Sequence, residues 1–204
     1  FALADRRLTL DPARDRTLKP PRTEAPGLEV TGWEDTYEPR LNGKPLALDP
    51  YEFSRSLAIA PDGERFVLGA AWALRQFDRS GDEVWRADVP GVVWGVNVTG
   101  DGRMAVAAYG DGTLRWHRMT DGAEVLAFFP HRDGARWVAS TPEGYYMASA
   151  GGENLIGWHV NNGKDDAADF FSASRFSDAF YRPDIVMRVL ETLDPAEAKR
   201  LADA

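Results

Sequence analysis

The chain contains no cysteine among its 204 residues. Disulfides, cysteine–zinc centres and a cysteine nucleophile are thereby excluded within it, and the absence fits a reducing cytoplasm. Histidine is scarce, with only His117, His131 and His159. Lysine is confined to Lys19, Lys44, Lys164 and Lys199, so arginine supplies most of the positive charge. That charge is outweighed: 24 basic against 32 acidic side chains leave a net −8. An acidic surface repels phosphate backbones, so nucleic acid is not an expected partner. No apolar run approaches the roughly 20 residues of a membrane-spanning helix, so no membrane partner is expected either. Gly-x-Ser-x-Gly, a phosphate loop ending in Gly-Lys-Ser/Thr and the EF-hand spacing are all missing. No cofactor or metal is expected. The first residue is Phe1 rather than methionine, and the expectation is that the chain is part of a longer protein.

What is present is a repeat. The turn pairs Asn42-Gly43, Ser80-Gly81, Asp121-Gly122 and Asn162-Gly163 place their glycines 38, 41 and 41 residues apart. A second series, Asp62-Gly63, Asp101-Gly102 and Glu143-Gly144, has spacings of 39 and 42. Strand-like runs rich in aromatic and β-branched residues lie between these turns. Residues 56–60, 94–98 and 137–141 precede the second series, and 66–69, 104–109 and 145–150 follow it. Then come 74–78, 113–118 and 155–160, and after the first series 45–48, 83–87 and 123–129. Asn-Gly and Asp-Gly supply the positive φ angles of tight hairpins. Four short strands in about 40 residues is the make-up of a propeller blade.

The segment GDGTLRWHRMTDGAEVLAFF, residues 110–129, resembles the WD40 strand, turn and outer strand. The usual Trp-Asp pair is replaced by Phe77-Asp78, His117-Arg118 and His159-Val160. The expected fold class is therefore all-β. It comprises a WD40-type β-propeller segment of about three four-stranded blades plus an extra strand, with a C-terminal helical extension. Residues 1–33 would hold an N-terminal strand (residues 1–10), a linker marked by Pro12, Pro20, Pro21 and Pro26, and the end of a preceding blade. Residues 34–163 would form the three blades and 164–204 the extension. A closed propeller has four to eight blades, so the remaining blades are an expected partner, in the same polypeptide or on a cleaved fragment.

The strand pattern stops at Asp165. Phe170, Phe171, Phe176 and Phe180 are expected to pack on the propeller from one or two helical turns. Pro183 opens a helix whose apolar stripe is Ile185, Val186, Val189, Leu190 and Leu193. Asp194 is the expected N-cap of a last helix, with Pro195 at its first position and Glu197 closing a capping box.

TPEGYYMASAGGENLIGWHVNNG, followed by ADFFSASRF and FYRPDIV, resembles the end of the WD40 region in bacterial proteins that pair a propeller with a caspase-like (peptidase C14) domain. The likeness reaches back through LNGKPLALDPYEFSRSLAI and WGVNVTGDGRMAVAAYGDGTLRW, and departs at Met147 and Ala150. It implies a non-catalytic sensor or scaffold that recruits a protein ligand and controls an attached caspase-like protease. That protease needs a His–Cys dyad, which this chain cannot supply. Blade register places top-face partner contacts at Arg55, Trp72, Trp94, Tyr109, Asp111, Arg136, Glu153 and Asn154. The histidines read as structural: His117 and His159 should occupy equivalent blade positions. The aspartates 101, 111 and 121 read as turn residues. Two alternatives remain, a propeller enzyme working in its central channel and a purely structural propeller half.

Overall fold

Hairpins form where the turn chemistry calls for them. In the computed structural model, which describes residues 1–3, 5–10, 13, 15, 17–164 and 166–204, the chain is mostly antiparallel β-structure with a few short helices. Pro12 and Asp165 lie outside the described residues. Two compact units are present, Arg14–Glu124 and a second built from Phe1–Ala13 with Val125–Ala204.

The Arg14–Glu124 unit begins with β1 (Val30–Thr31), β2 (Arg40–Leu41) and β3 (Lys44–Pro45), a small sheet in the order β1-β2-β3. Asn42 and Gly43 join β2 to β3 with φ of 49° and 81°, the doubly left-handed turn that matches strand twist. The first full period then forms one four-stranded meander of β4 (Ser54–Ile59), β5 (Arg65–Ala70), β6 (Ala73–Asp78) and β7 (Glu83–Asp88). The second period continues with β8 (Val93–Val98), β9 (Met104–Tyr109) and β10 (Leu114–Arg118), again antiparallel neighbours. Phe66, Leu68, Phe77, Leu57 and Ile59 are buried in one cluster, with Leu28, Val30 and Leu41 of the small sheet. Val67, Leu74, Trp85, Val96 and Tyr109 belong to another. Gly69 of β5 leaves room for Val93 and for Ser56, whose hydroxyl donates to the Val93 carbonyl at 3.0 Å. This close approach sets β4 beside β8. Within the proline-rich segment, the stretch around Pro20 and Pro21 is held in place: Ile59 N donates to the Arg22 carbonyl at 2.7 Å and Asn97 Nδ2 to that of Lys19 at 3.0 Å.

In the other unit, β11 (Glu124–Pro130), β12 (Trp137–Ser140) and β13 (Tyr146–Ala148) run antiparallel. The third period departs from the expected blade. Its first strand, β12, is bonded to the strand before it, with Phe128 opposite Ala139 and Pro130 opposite Trp137, instead of starting a sheet of its own. Residues 155–160 do not join β13 either. Gly152–Leu155 form a 3₁₀ turn, and β14 (Gly157–Val160) pairs with β15 (Asp169–Ser172). The edge of β13 that a third strand would need is already taken. Tyr146 bridges Tyr181 in parallel, and Arg182 N donates to the Tyr146 carbonyl at 2.9 Å. His159 is consequently exposed in β14, whereas His117 is buried in β10, so the two are not equivalent.

Other expectations are also corrected. Among the described residues of 1–10 there is an isolated bridge between Ala2 and Arg7 and no strand, while Phe1 stacks on Phe128 with ring centroids 4.3 Å apart. Phe170 and Phe171 lie in β15. Phe176 and Phe180 close on Trp158 at 5.3 and 5.0 Å, Phe180 from the single turn α1 (Ser177–Phe180). Pro183 does open α2 (Pro183–Thr192), which buries Ile185, Val186 and Val189. Asp194 caps α3 (Pro195–Ala202) by accepting from Ala196 N and Glu197 N. The capping box is only half made, because Glu197 pairs with Arg200 and Asp194 N donates to Thr192 Oγ1.

Candidate interaction surface

A β-bulge re-aims a side chain by letting two residues oppose one. β4 and β8 each carry one at the same place, where the strand begins. Ser54 pairs with Ala70 and Ser56 with Gly69, leaving Arg55 as the extra residue. Val93 pairs with Tyr109 and Gly95 with Ala108, leaving Trp94. The Arg55 guanidinium lies 4.8 Å from the Trp94 ring and 4.0 Å from the Phe53 ring, and forms an ion pair with Asp35. Tyr37 meets the edge of Phe53 at 5.4 Å. Trp94 and Tyr37 are each 59% exposed. Beside the bulges lies a cleft of about 460 Å³ lined by Trp33, Glu34, Asp35, Arg55, Trp94 and Pro21, among others. Arg55 and Trp94, expected from register at equivalent strand starts, both lie at these bulges. Trp33, Asp35 and Tyr37 come from the loop after β1, ahead of the first turn pair and strand-like run of the repeat, so no spacing pointed to them.

The loop under Phe53 is fixed by a buried charge network. Arg75 of β6 reaches Glu52 Oε2 at 2.6 Å and Asp49 Oδ2 at 3.0 Å, and also pairs with Glu83. Glu52 has no exposed surface, and its Oε1 has no partner. Burial opposes the charge on Arg75, but the hydrogen bonds and charges of Glu52 and Glu83 outweigh it and raise its pKa.

The remaining top-face expectations in this unit divide. Trp72 is 41% exposed at the turn between β5 and β6 but does not line the cleft. Tyr109 is buried and presents no ring to a partner. Its hydroxyl is 2.8 Å from His117 Nε2, and His117 Nδ1 is 3.0 Å from the Gly122 carbonyl. The arrangement satisfies a neutral imidazole, with Nδ1–H donating to Gly122 and Nε2 accepting from Tyr109. Burial lowers the His117 pKa and raises that of Tyr109. Asp111 accepts from Thr113 N and Oγ1 and from Arg115, the bonds of a turn aspartate. These bonds and the Arg115 charge hold its pKa below the usual carboxylate value, against the burial that opposes them.

In the second unit, Arg136 is tied to Asp133 through Nε at 2.6 Å and approaches His131 Nδ1 at 3.3 Å. The backbone and side-chain bonds from Arg136 pull the Asp133 carboxyl far below its usual range. Glu153 sits in the 3₁₀ turn and faces a cleft of about 360 Å³ with Tyr146, Ser149, Ser174, Ser177 and Tyr181. Asn154 is exposed on the same turn. Among the described residues no His, Cys, Asp or Glu side chains gather in threes as a metal site would require.

Fold and surface together define a class, an antiparallel β-protein of consecutive up-and-down strands that displays aromatic and arginine side chains at strand bulges. No family model matches the chain, and no curated protein matches it. Among solved structures, BamB from Moraxella catarrhalis is similar at 17% identity with a TM-score of 0.36, over 47% of this chain and 34% of that one. This chain therefore spans about a third of that protein's length. No helix among the described residues is long and apolar enough to cross a membrane.

Proposed function

We propose that this chain is a WD40-type propeller segment with no catalytic step of its own. It serves as the sensor or scaffold of a larger bacterial, cytoplasmic protein and regulates an attached caspase-like protease. The remaining blades come from the same polypeptide or a cleaved fragment. The observation that carries the reading is the pair of equivalent bulges, which bring Arg55 and Trp94 from successive periods onto one exposed surface. Tryptophan, tyrosine and arginine are the residues most enriched at interaction hot spots. A repeated meander offers them rigid support.

The test uses the full-length parent protein with benzoylphenylalanine at position 94, or at the exposed Val84 of β7 as a control. Irradiation should link position 94, and not position 84, to the protease domain. Trp94→Ala should change the protease rate on a peptide substrate several-fold. A parent without a protease domain, or one with equal labelling at both positions and an unchanged rate, refutes the proposal.

A further inference from the structure

We propose that the cleft beside the β4 and β8 bulges binds one cationic side chain, lysine or arginine, carried on an extended segment of a partner protein. This rests on the reading of that surface as an interaction face and adds the chemistry of what it takes.

Three observations carry it. The first is aromatic. Trp33 and Trp94 both line the cleft, and Trp94 keeps 59% of its surface in solvent. An indole face attracts cations through its quadrupole, and Trp94 already holds the Arg55 guanidinium at 4.8 Å. The second is charge. Arg55 is the cleft's one cation, and its pair with Asp35 neutralises it. Glu34 makes no ion pair among the described residues and stands exposed at the cleft, which is left with a net charge of −1. A lysine or arginine tip would meet Glu34, and a glutamate or phosphate would be repelled. The third is shape. Pro21 and Thr23, from the segment bonded to β4 through Arg22, line the same cleft. Proline lacks an N–H, and its ring offers apolar surface to the methylene stem of a long cationic side chain. A volume of about 460 Å³ accommodates such a side chain.

The alternative of an anion on Arg55 is disfavoured by position. Arg55 is packed against Phe53 at 4.0 Å and its charge is already offset by Asp35, so an incoming carboxylate would meet a neutralised guanidinium beside the uncompensated charge of Glu34.

The experiment is fluorescence anisotropy with the intact 204-residue chain. The probes are a labelled, acetylated Gly-Ser-Arg-Ser-Gly peptide and its citrulline counterpart, which keeps the shape and loses the charge. The arginine peptide should bind at least fivefold more tightly, by a margin that shrinks as salt is added. Trp94→Ala should weaken it roughly five- to tenfold, the size of one cation–π contact. Glu34→Gln should weaken it about threefold, and Trp94→Phe should restore most of the affinity lost in the alanine variant. Trp72→Ala, outside the cleft, should change nothing. Equal binding of both peptides overturns the inference, as does an arginine preference that survives Trp94→Ala and Glu34→Gln together. If cross-linking from position 94 persists while the charge preference is absent, the cationic ligand fails and the interaction surface stands. Absence of both removes the surface itself.

Discussion

Removing Arg75 should cost far more than removing Glu52, although the two are partners in one buried pair. Arg75 has three carboxylate partners, Glu52, Asp49 and Glu83. Glu52→Gln therefore leaves the guanidinium paired twice, and the amide oxygen can still accept one of its N–H groups. The loss is one charge-assisted bond, about 1–2 kcal/mol. Arg75→Met is different. Glu52 has no exposed surface, and its only other hydrogen-bond donor among the described residues is Asp49 N at 3.1 Å. A buried carboxylate stripped of its counter-ion costs about 3–5 kcal/mol. Asp49 is less affected because Arg86 still holds it at 2.5 Å. The double variant should then be more stable than Arg75→Met alone, because Glu52→Gln removes the stranded charge. Urea unfolding of the wild type, both single variants and the double variant at pH 7 supplies the cycle. The same network positions the loop that carries Phe53 beneath Arg55, so Arg75→Met should also weaken the peptide binding described above. Equal costs for the two single variants, or a double variant at the sum of both, would refute the account of Glu52 as the stranded group.

Three further outcomes follow from other contacts. His117 is held neutral by burial, so its folded pKa lies below the ordinary 6.5. The unfolded chain takes up the proton first, and stability is full above about pH 6.5 and falls as pH drops below it, by at most about 1.4 kcal/mol per pH unit. His117→Gln should flatten the urea midpoint between pH 6.5 and 5 relative to wild type; parallel curves would contradict the neutral assignment. Gly122→Ala should destabilise by about 2–4 kcal/mol, since φ is 74° and the added Cβ would fall 2.6 Å from the Trp85 ring; a thermal midpoint within a degree of wild type would show that the turn yields. Asp194→Ala removes the cap of α3 and should cost about 1 kcal/mol, with Asp194→Asn retaining most of it; hydrogen exchange confined to residues 195–202 reads this directly.

The sequence carried the features that depend on near neighbours. Turn glycines at a period near 40 marked the hairpins of the first two meanders, since a left-handed turn residue acts on the two strands it joins. Pro183 and the 185–186–189 stripe marked α2, and Asp194 marked the start of α3, for the same reason. Even Arg55 and Trp94 were legible, because equivalent positions in successive periods meet equivalent surroundings. Features that depend on competition between distant segments were not legible. Residues 155–160 have the pattern of a blade strand, yet Tyr181 and Arg182 hold the edge of β13, and one edge accepts one partner. Tyr109 was expected at the surface, but His117, eight residues away across the β9–β10 hairpin, holds its hydroxyl inside. Trp33 and Asp35 join the cleft only because the small sheet of β1, β2 and β3 lays its loop beside the bulges, and the Glu52–Arg75 pair exists only because β6 passes under the loop before β4. Local chemistry thus determined where the chain turns, pairs with its nearest neighbour and starts its helices. Which edge is filled, which charge is buried and which side chains share a cleft were decided by tertiary packing, where each segment takes the partner that the rest of the fold leaves open.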